Sequence, residues 1–488
     1  MYITPMERIR AMLRNNEMSE REFFERQIDE WKRGKERELQ LTGYKYYLQE
    51  HDILRRMRQV LNENGVLQDV SNLPNSRLID NQYAKMVDQK AGFLLSKPFS
   101  VNGENKTYNK LLNGMFDRNF RRRLYYLGGD ALNGGIAWLY PYYGETGDLE
   151  FRRFPAYEIL PFWADDEHQT LDCAIRLYEV DTYEGAQEKV LEKVELYMPD
   201  GIYRYQLEDG KLIPDPDAEE SRSPYLTVTD ADGATEYNWQ RIPLIAFRRN
   251  KAEQPLIARV KCLQDALNLM LSDYANLMME QAGGSSILVI KNYDAEPLTN
   301  VRRQLMEHRT IKVRTVDGVE GGVETLEVEV NSSNYEAIIR LLKRAILENA
   351  RGFEAKDDRL GTNPNEMNIK TMYSDIDLDA DSMEIEFQAS MEELLWWINQ
   401  WLDTKGKGRF YVADVEITFN RDMMVNESQV ILDIRNLQGL LSTRSLLNAN
   451  PWVKDVDEEL RLLREERAEH EAAYSQPAIG HAHAEGDE

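Results

Sequence analysis

KAEQPLIARVKCLQDALNLMLSDYANLMMEQAGG, residues 251–284, is followed by SSILVI (285–290), YEAIIRLLKRAILENA (335–350) and RGFEAKDDRLGTNPNEMN (351–368). Leu256, Val260, Leu263, Leu267, Met270, Tyr274, Leu277 and Met278 recur at spacings of three and four. That period predicts a helix over 252–281 with one buried face. Gly283 and Gly284 stop it. SILVI (286–290), a short apolar run after the glycine stop, reads as a strand, the first of a small β excursion. Tyr335, Ile338, Ile339, Leu342, Ile346 and Leu347 restore the helical period. The segment from Arg351 to Asn368 has Gly, Asn, Pro and mixed charge without an apolar period. It is longer than most connections in compact domains, and such loops are often functional.

The chain has 488 residues and a formal net charge of -25. At roughly 150 residues per domain this suggests about three domains. No apolar run reaches the ~20 residues of a membrane span, and MYITPMERIRAMLRNN lacks the apolar core of a secretory signal. Two cysteines, Cys173 and Cys262, exclude a disulfide framework and fit a cytoplasmic origin. Both are expected to pack rather than react. The acidic balance argues against passive wrapping of nucleic acid, yet suits a wall past which a polyanion must slide.

Upstream, Thr4 to Gln40 is charge-rich and helical, and Gly43 to Asn62 predicts a further helix ended near Gly65. NSRLIDNQYAKMVDQKAGFLLSKPFSV (75–101) presents Leu78, Ile79, Met86, Val87, Phe93 and Leu94 on one face, with Pro98 closing the helix. Helices are expected near 108–117 and 120–132. Short aromatic and β-branched runs from Gly135 to Ile213 predict an antiparallel meander. Ile213 to Pro224 is polar, acidic and expected to be disordered, as is the tail from Tyr474. Strands near 225–229 and 242–248 lead back to the helix at 252. A long helix over 369–404, a strand in VADVEITF and two or three C-terminal helices complete the chain, with Ser442 or Thr443 capping one and Pro451 opening the next. The fold class is α+β.

The catalytic signatures are missing. The Gly-Lys pairs at 34, 210 and 406 lack both the preceding glycine and the following Ser or Thr of a phosphate-binding loop. Six scattered histidines, two of them (His481 and His483) in the tail, offer no catalytic or metal site. No cofactor is called for. DIDLDADSMEIE (375–386) spaces its acids like a calcium loop, but Ala380 stands where the turn needs Gly and Ser382 where an apolar residue packs. As a helix, the same run sets Asp375, Asp379 and Glu386 along one face. A two-metal nuclease built on Asp375, Asp377, Asp379 and Asp381 stays open as an alternative. Arg302, Arg303, His308 and Arg309 form a candidate basic patch in the β excursion.

In this order, the segments resemble the SPP1-type (Gp6-like) family of bacteriophage portal proteins, over about Asn75 to Glu466. NSRLIDNQYAKMVDQKAGFLLSKPFSV is similar to the family's early wing helix, and FPAYEILPFWADDEHQTLDCAIRLYEV to its wing strands. ITFNRDMMVNESQVILDIRNLQGLLSTRSLLNANPWVKDVDEEL resembles its run into the crown. The resemblance implies a wing over 1–250 and 369–420, stem helices at 251–282 and 332–350, and a small α/β clip at 283–331. It further implies a tunnel loop at 351–368, a helical crown at 421–473 and a disordered tail at 474–488. It implies a non-enzymatic ring of twelve at one capsid vertex of the virion, assembled in the host cytoplasm. Double-stranded DNA would pass through its channel during packaging and ejection. Terminase large subunit, major capsid and scaffolding proteins and a head–tail connector would be its partners, with no membrane. The tunnel-loop residues Arg351, Glu354, Lys356, Asp357, Asp358, Arg359, Asn363 and Asn365 would meet DNA. Asp375, Asp379 and Glu386 would form an acidic channel face, and Arg302, Arg303 and Arg309 a clip patch. A head–tail adaptor without a constriction is the further alternative.

Overall fold

The structure, a computed structural model, describes residues 4–13, 18–61, 65–71, 73–185, 187–218, 220–230, 233–239, 241–282, 287–291, 318, 321–326, 332–354, 366–421, 427–448, 450, 452–453 and 456–474. The chain divides into two compact units, residues 1–353 with 376–421 and residues 354–375 with 422–488. Helices and antiparallel sheets occupy separate stretches, which makes the architecture α+β.

Helices of the first unit are α1 (Pro5–Leu13), α2 (Glu20–Lys32), α3 (Lys35–Tyr47), α4 (Gln82–Leu95), α5 (Lys106–Met115), α6 (Arg118–Gly134), α7 (Ile257–Ala282) and α8 (Ser332–Asn349). The long α9 (Glu366–Thr404) belongs to it from Ile376 onward. Local chemistry sets several starts. Ser19 and Glu22 close a capping box on α2, and Asn81, Asn105 and Asp117 accept backbone N–H bonds at the starts of α4, α5 and α6. Gly135, at φ +80°, ends α6 with its missing Cβ turned toward the Glu253 carbonyl.

Strands β1 (Gln59–Leu61) and β2 (Leu67–Asp69) make a hairpin. Strand β3 (Ser100–Gly103) pairs far along the chain with β17 (Val415–Thr418). Strands β4 (Ile136–Tyr143) and β5 (Leu149–Pro155) form a sheet with β14 (Ile245–Arg248), in the order β14-β4-β5. The meander is β6 (Ile159–Trp163), β7 (Leu171–Glu184), β8 (Gln187–Met198), β9 (Gly201–Glu208) and β10 (Lys211–Pro214), each antiparallel to the next, with β11 (Arg222–Ser223) on β9. Strands β12 (Leu226–Asp230) with β13 (Gly233–Tyr237), and β15 (Ile287–Lys291) with β16 (Gly322–Leu326), are further two-stranded pairs. The main core gathers Tyr83, Leu127, Phe247, Val260, Phe387 and Trp397 from helices and the three-stranded sheet. A second core lies where Met6, Phe24 and Ile28 cover Ile175 and Val194 of the meander.

The second unit contains α10 (Glu427–Leu437), α11 (Thr443–Asn448) and α12 (Val456–Tyr474). The Ser442 hydroxyl accepts from the Ser445 N–H at 3.2 Å, so Ser442 caps α11. Pro451 and the tail beyond Tyr474 lie outside the described residues.

Four expectations change. Residues 43–62 are not one helix. The α3 helix stops at Tyr47, Gln49 turns left-handed at φ +68°, and a short 3-10 turn (Asp52–Arg55) precedes β1. His51 makes the stop, stacking on Tyr46 and bonding the Tyr46 carbonyl through Nε2. Second, residues 75–81 are not helical and Leu78 is exposed, so α4 begins only at Gln82. Third, the acidic loop at 213–224 is tied down. Lys193 Nζ donates to Asp215 at 2.5 Å and Asp217 at 2.7 Å, and Arg222 and Ser223 join the sheet. Fourth, Cys262 is exposed, whereas Cys173 is buried and its thiol is pushed up to about 12 by desolvation.

Candidate functional site

The non-helical stretch before α4 is held by side chains of α7. Gln264, Asn268, Ser272 and Asn276 stand one helical turn apart and are fully buried. Ser76 N donates to Asn276 Oδ1 (2.7 Å), Leu78 N to Ser272 Oγ (2.9 Å), Asp80 N to Asn268 Oδ1 (3.1 Å) and Tyr83 N to Gln264 Oε1 (3.1 Å). Gln264 returns a bond to the Asp80 carbonyl at 2.8 Å. The match is geometric. The N–H groups of Ser76, Leu78 and Asp80, two residues apart, meet successive turns of α7, and that of Tyr83, inside α4, meets the next turn toward the start of α7. This polar ladder seats α7 on the body of the unit.

The second helix, α8, packs along α7, with Tyr335 stacked on Tyr274 at 5.1 Å and Ile346 fully buried. Its exit is the root of the polar loop. Arg351 turns left-handed at φ +52°. A Cβ on Gly352 would lie 2.4 Å from Met86 Sδ and 2.9 Å from Gln89 Oε1, so a larger residue there would have to displace those two side chains. Gln89 then clamps Phe353, donating to its carbonyl at 2.7 Å and accepting from its N–H at 3.0 Å.

Among the described residues, Asp379 of α9 is the carboxylate that meets four cations at this root. Lys90 Nζ lies at 2.8 Å, Arg259 at 3.1 Å, Arg249 at 3.3 Å and Arg351 at 3.9 Å. Lys90 also donates to the Arg351 carbonyl at 3.1 Å. Burial opposes ionisation of Asp379, but Lys90 and Arg249 outweigh it and hold the carboxyl well below the usual range. Burial pulls the Lys90 ammonium down to about 8 despite its partner. The hub therefore joins α4, α7, α9, the residue after β14 and the loop root through one buried charge.

The remaining expected site residues are placed as follows. Residues 375–386 are helical within α9, so no calcium loop forms. Asp375 is exposed, Asp379 is the hub, and Glu386 pairs with Arg248 at 2.7 Å. Asp377, Asp381 and Glu384 all take the guanidinium of Arg421, where the chain leaves the first unit. Of the loop residues, Arg351 and Glu354 are described and exposed. Lys356, Asp357, Asp358, Arg359, Asn363 and Asn365, and Arg302, Arg303, His308 and Arg309 of the β excursion, lie outside the described residues. Among the described residues, no cluster of His, Cys, Asp and Glu could hold a metal, and no helix is long and apolar enough to cross a membrane. The sequence reading missed Gln89, Lys90, Arg249 and the α7 ladder. The i, i+4 run Gln264-Asn268-Ser272-Asn276 was the visible signal, since buried amides on a helix need partners.

The helices α7 and α8 pack side by side, enclose the β15–β16 pair in the chain, and end at a pinned loop root on an α+β body. The chain belongs to the phage portal proteins, SPP1 Gp6-like, whose family model matches residues 28–472. It is 26% identical over 431 residues to the portal protein of Bacillus phage SPP1, covering 87% of this chain and 83% of that one. It is 24% identical over 441 residues to the portal protein of Clostridium phage phiCD119, covering 88% and 92%. The role of the family is the role of this chain: a portal ring with a channel for DNA that docks the packaging terminase. The family is structural rather than enzymatic, and its members belong to the viral capsid.

Proposed function

We propose that twelve copies form the ring, with α7 and α8 as stem helices packed side by side around the channel and the loop at 351–368 as the part that meets DNA. The clamp of Gln89 on Phe353 carries this reading. It fixes where the loop leaves the stem while residues 355–365 carry mixed charge suited to a sliding polyanion. Met279, Ile338 and Leu341 are exposed on the helical pair in the isolated chain, the kind of apolar surface a neighbouring copy covers in a ring. In this reading residues 283–331 are the clip, the tip for terminase and head–tail connector. The wing (1–250 and 369–420) faces capsid and scaffolding proteins, and 421–473 is the crown. Assembly takes place in the host cytoplasm.

The test is imaging of the purified chain by electron microscopy, with and without a deletion inside Glu354–Glu366. Rings with an axial hole in both, and loss of DNA packaging or retention only in the deletion, are the expected result. Rings that fail to form without the loop would make it architectural, and a monomer that cuts DNA with magnesium or manganese would overturn the reading.

A further inference from the structure

The hairpin of β1 and β2 is anchored at its root and bare along its strands. Arg56 Nη2 lies 2.5 Å from Asp273 Oδ1 of α7, and Arg58 Nη2 lies 3.1 Å from Glu280 Oε1. The Val70 N–H donates to the Arg58 carbonyl at 2.9 Å. Beyond these ties every residue of both strands is exposed, on both faces of the ribbon. Leu61 is 68% and Leu67 59% exposed, and Leu54, Met57, Val60 and Val66 are exposed around them. None of these six belongs to a core of the described residues, and the two strands join no larger sheet. A two-stranded ribbon with no covering layer is marginal in water. Apolar side chains gathered on such a ribbon mark a contact surface.

Helix α8 carries a second bare apolar surface. Its Tyr335, Leu342 and Ile346 pack inward. Ile338 and Leu341 stand on its flank, about 60° and 120° round from Tyr335 at about 100° per residue, and Leu341 is 66% exposed. Arg340, exposed between them, makes no ion pair among the described residues, and neither does Asp69, exposed at the end of β2.

The two surfaces sit on different sides of α7. Asp273 and Glu280, seven residues apart, share the face that holds the hairpin. Tyr274, which stacks on Tyr335 of α8, lies about 100° further round. One chain therefore offers two distinct apolar surfaces beside one helix, each bare within that chain. A ring of identical copies closes through head-to-tail contacts, which pair one surface of a copy with a different surface of the next. A two-fold dimer would instead pair each surface with itself.

We propose that the β1–β2 hairpin of each copy packs on the Ile338–Leu341 flank of α8 in the neighbouring copy. The contact rests on the ring reading of this chain and names the surfaces that join its copies. Leu61 and Leu67 supply the apolar side of the contact, and Asp69 and Arg340 are its opposite charges.

The test places the photo-crosslinking residue p-benzoylphenylalanine at Leu61 of the full chain and assembles rings from mixed heavy-nitrogen-labelled and unlabelled copies. Mass spectrometry reads which peptide the probe captures and from which copy. Capture of residues 332–349 of another copy supports the contact. Capture elsewhere on a neighbour, capture within the same chain, or no capture overturns it and leaves the hairpin to a different partner. In a second arm, Leu61→Asp with Leu67→Asp, and separately Leu341→Asp, should keep the circular dichroism of the folded chain while ring yield at equal protein concentration falls about tenfold or more. Rings at wild-type yield in either variant overturn the contact. These positions are exposed in the single chain, and the crosslinking arm needs no charged substitution, so a variant that misfolds leaves the first arm decisive. A wild-type chain that forms no ring overturns the ring and the contact together, whereas wild-type rings with capture elsewhere overturn the contact alone.

Discussion

Gln89 holds Phe353 by both ends of one side-chain amide, Nε2 donating to the carbonyl at 2.7 Å and Oε1 accepting from the N–H at 3.0 Å. A strand neighbour would make the same pair of bonds. Here a helix supplies them, so α4 sets the place where the chain leaves the stem. Replacing Gln89 with Ala removes both bonds, at about 0.5–1.5 kcal/mol each. We expect Q89A to form rings with a small loss of stability by chemical denaturation, and to package or retain DNA poorly. Wild-type packaging by Q89A would show that the loop root needs no fixing.

Asp379→Asn leaves Lys90 and Arg249 buried without their counter-charge. Breaking a buried pair on one side costs about 3–5 kcal/mol, and we expect a loss of that order at pH 7 in urea unfolding. The carboxyl is held below its unfolded value of 3.8, so its contribution is complete above that pH and disappears as the pH falls through the depressed folded value. D379N should therefore have a flatter acid limb below about pH 4 than the wild type. Parallel acid limbs would place the linkage elsewhere.

Asn268 joins the Asp80 N–H, Gln264 and His51 in one buried network. Its replacement by Ala strands several polar groups, and a loss of about 1–3 kcal/mol is expected. Leu78 lies on the same stretch before α4 but is 45% exposed, so Leu78→Asp should stay within about 0.5 kcal/mol of wild type. Were 75–81 a continuation of α4 with Leu78 in the core, the order of the two effects would reverse.

Glu393 carries the opposite pH sign. Desolvation raises its carboxyl from 4.5 to about 7, with Arg241 opposing only in part. The unfolded chain ionises first, so stability attributable to this group is present below pH 4.5 and is lost as the pH rises through 7. The difference amounts to at most about 3.4 kcal/mol at 1.36 kcal/mol per unit. E393Q should remove that decline, measured as denaturation free energy at pH 5 and pH 8. An unchanged decline would exclude Glu393 as its source.

The sequence by itself determined the elements whose signal is local. The periods of Leu256 to Met278 and Tyr335 to Leu347 predicted α7 and α8 to within a few residues, because a helical face repeats every three or four positions whatever covers it. The aromatic and β-branched runs from Gly135 to Ile213 likewise placed the strands, but not as one meander: β4 and β5 pair with β14 in a separate sheet, and only β6 to β10 form the meander, because β14 returns from residues 245–248 to pair with β4. The empty phosphate-loop positions and the order of segments led to the family. Only the tertiary structure decided what the polar residues do. Gln89 and Phe353, Lys90 and Asp379, and Asp80 and Asn268 are separated by 264, 289 and 188 positions. A local pattern marks a residue as polar without naming its partner, so Asp379 looked like part of a free acidic face. Burial beside three arginines and a lysine makes it a structural hub instead, since a desolvated charge is stable only where opposite charge is fixed around it.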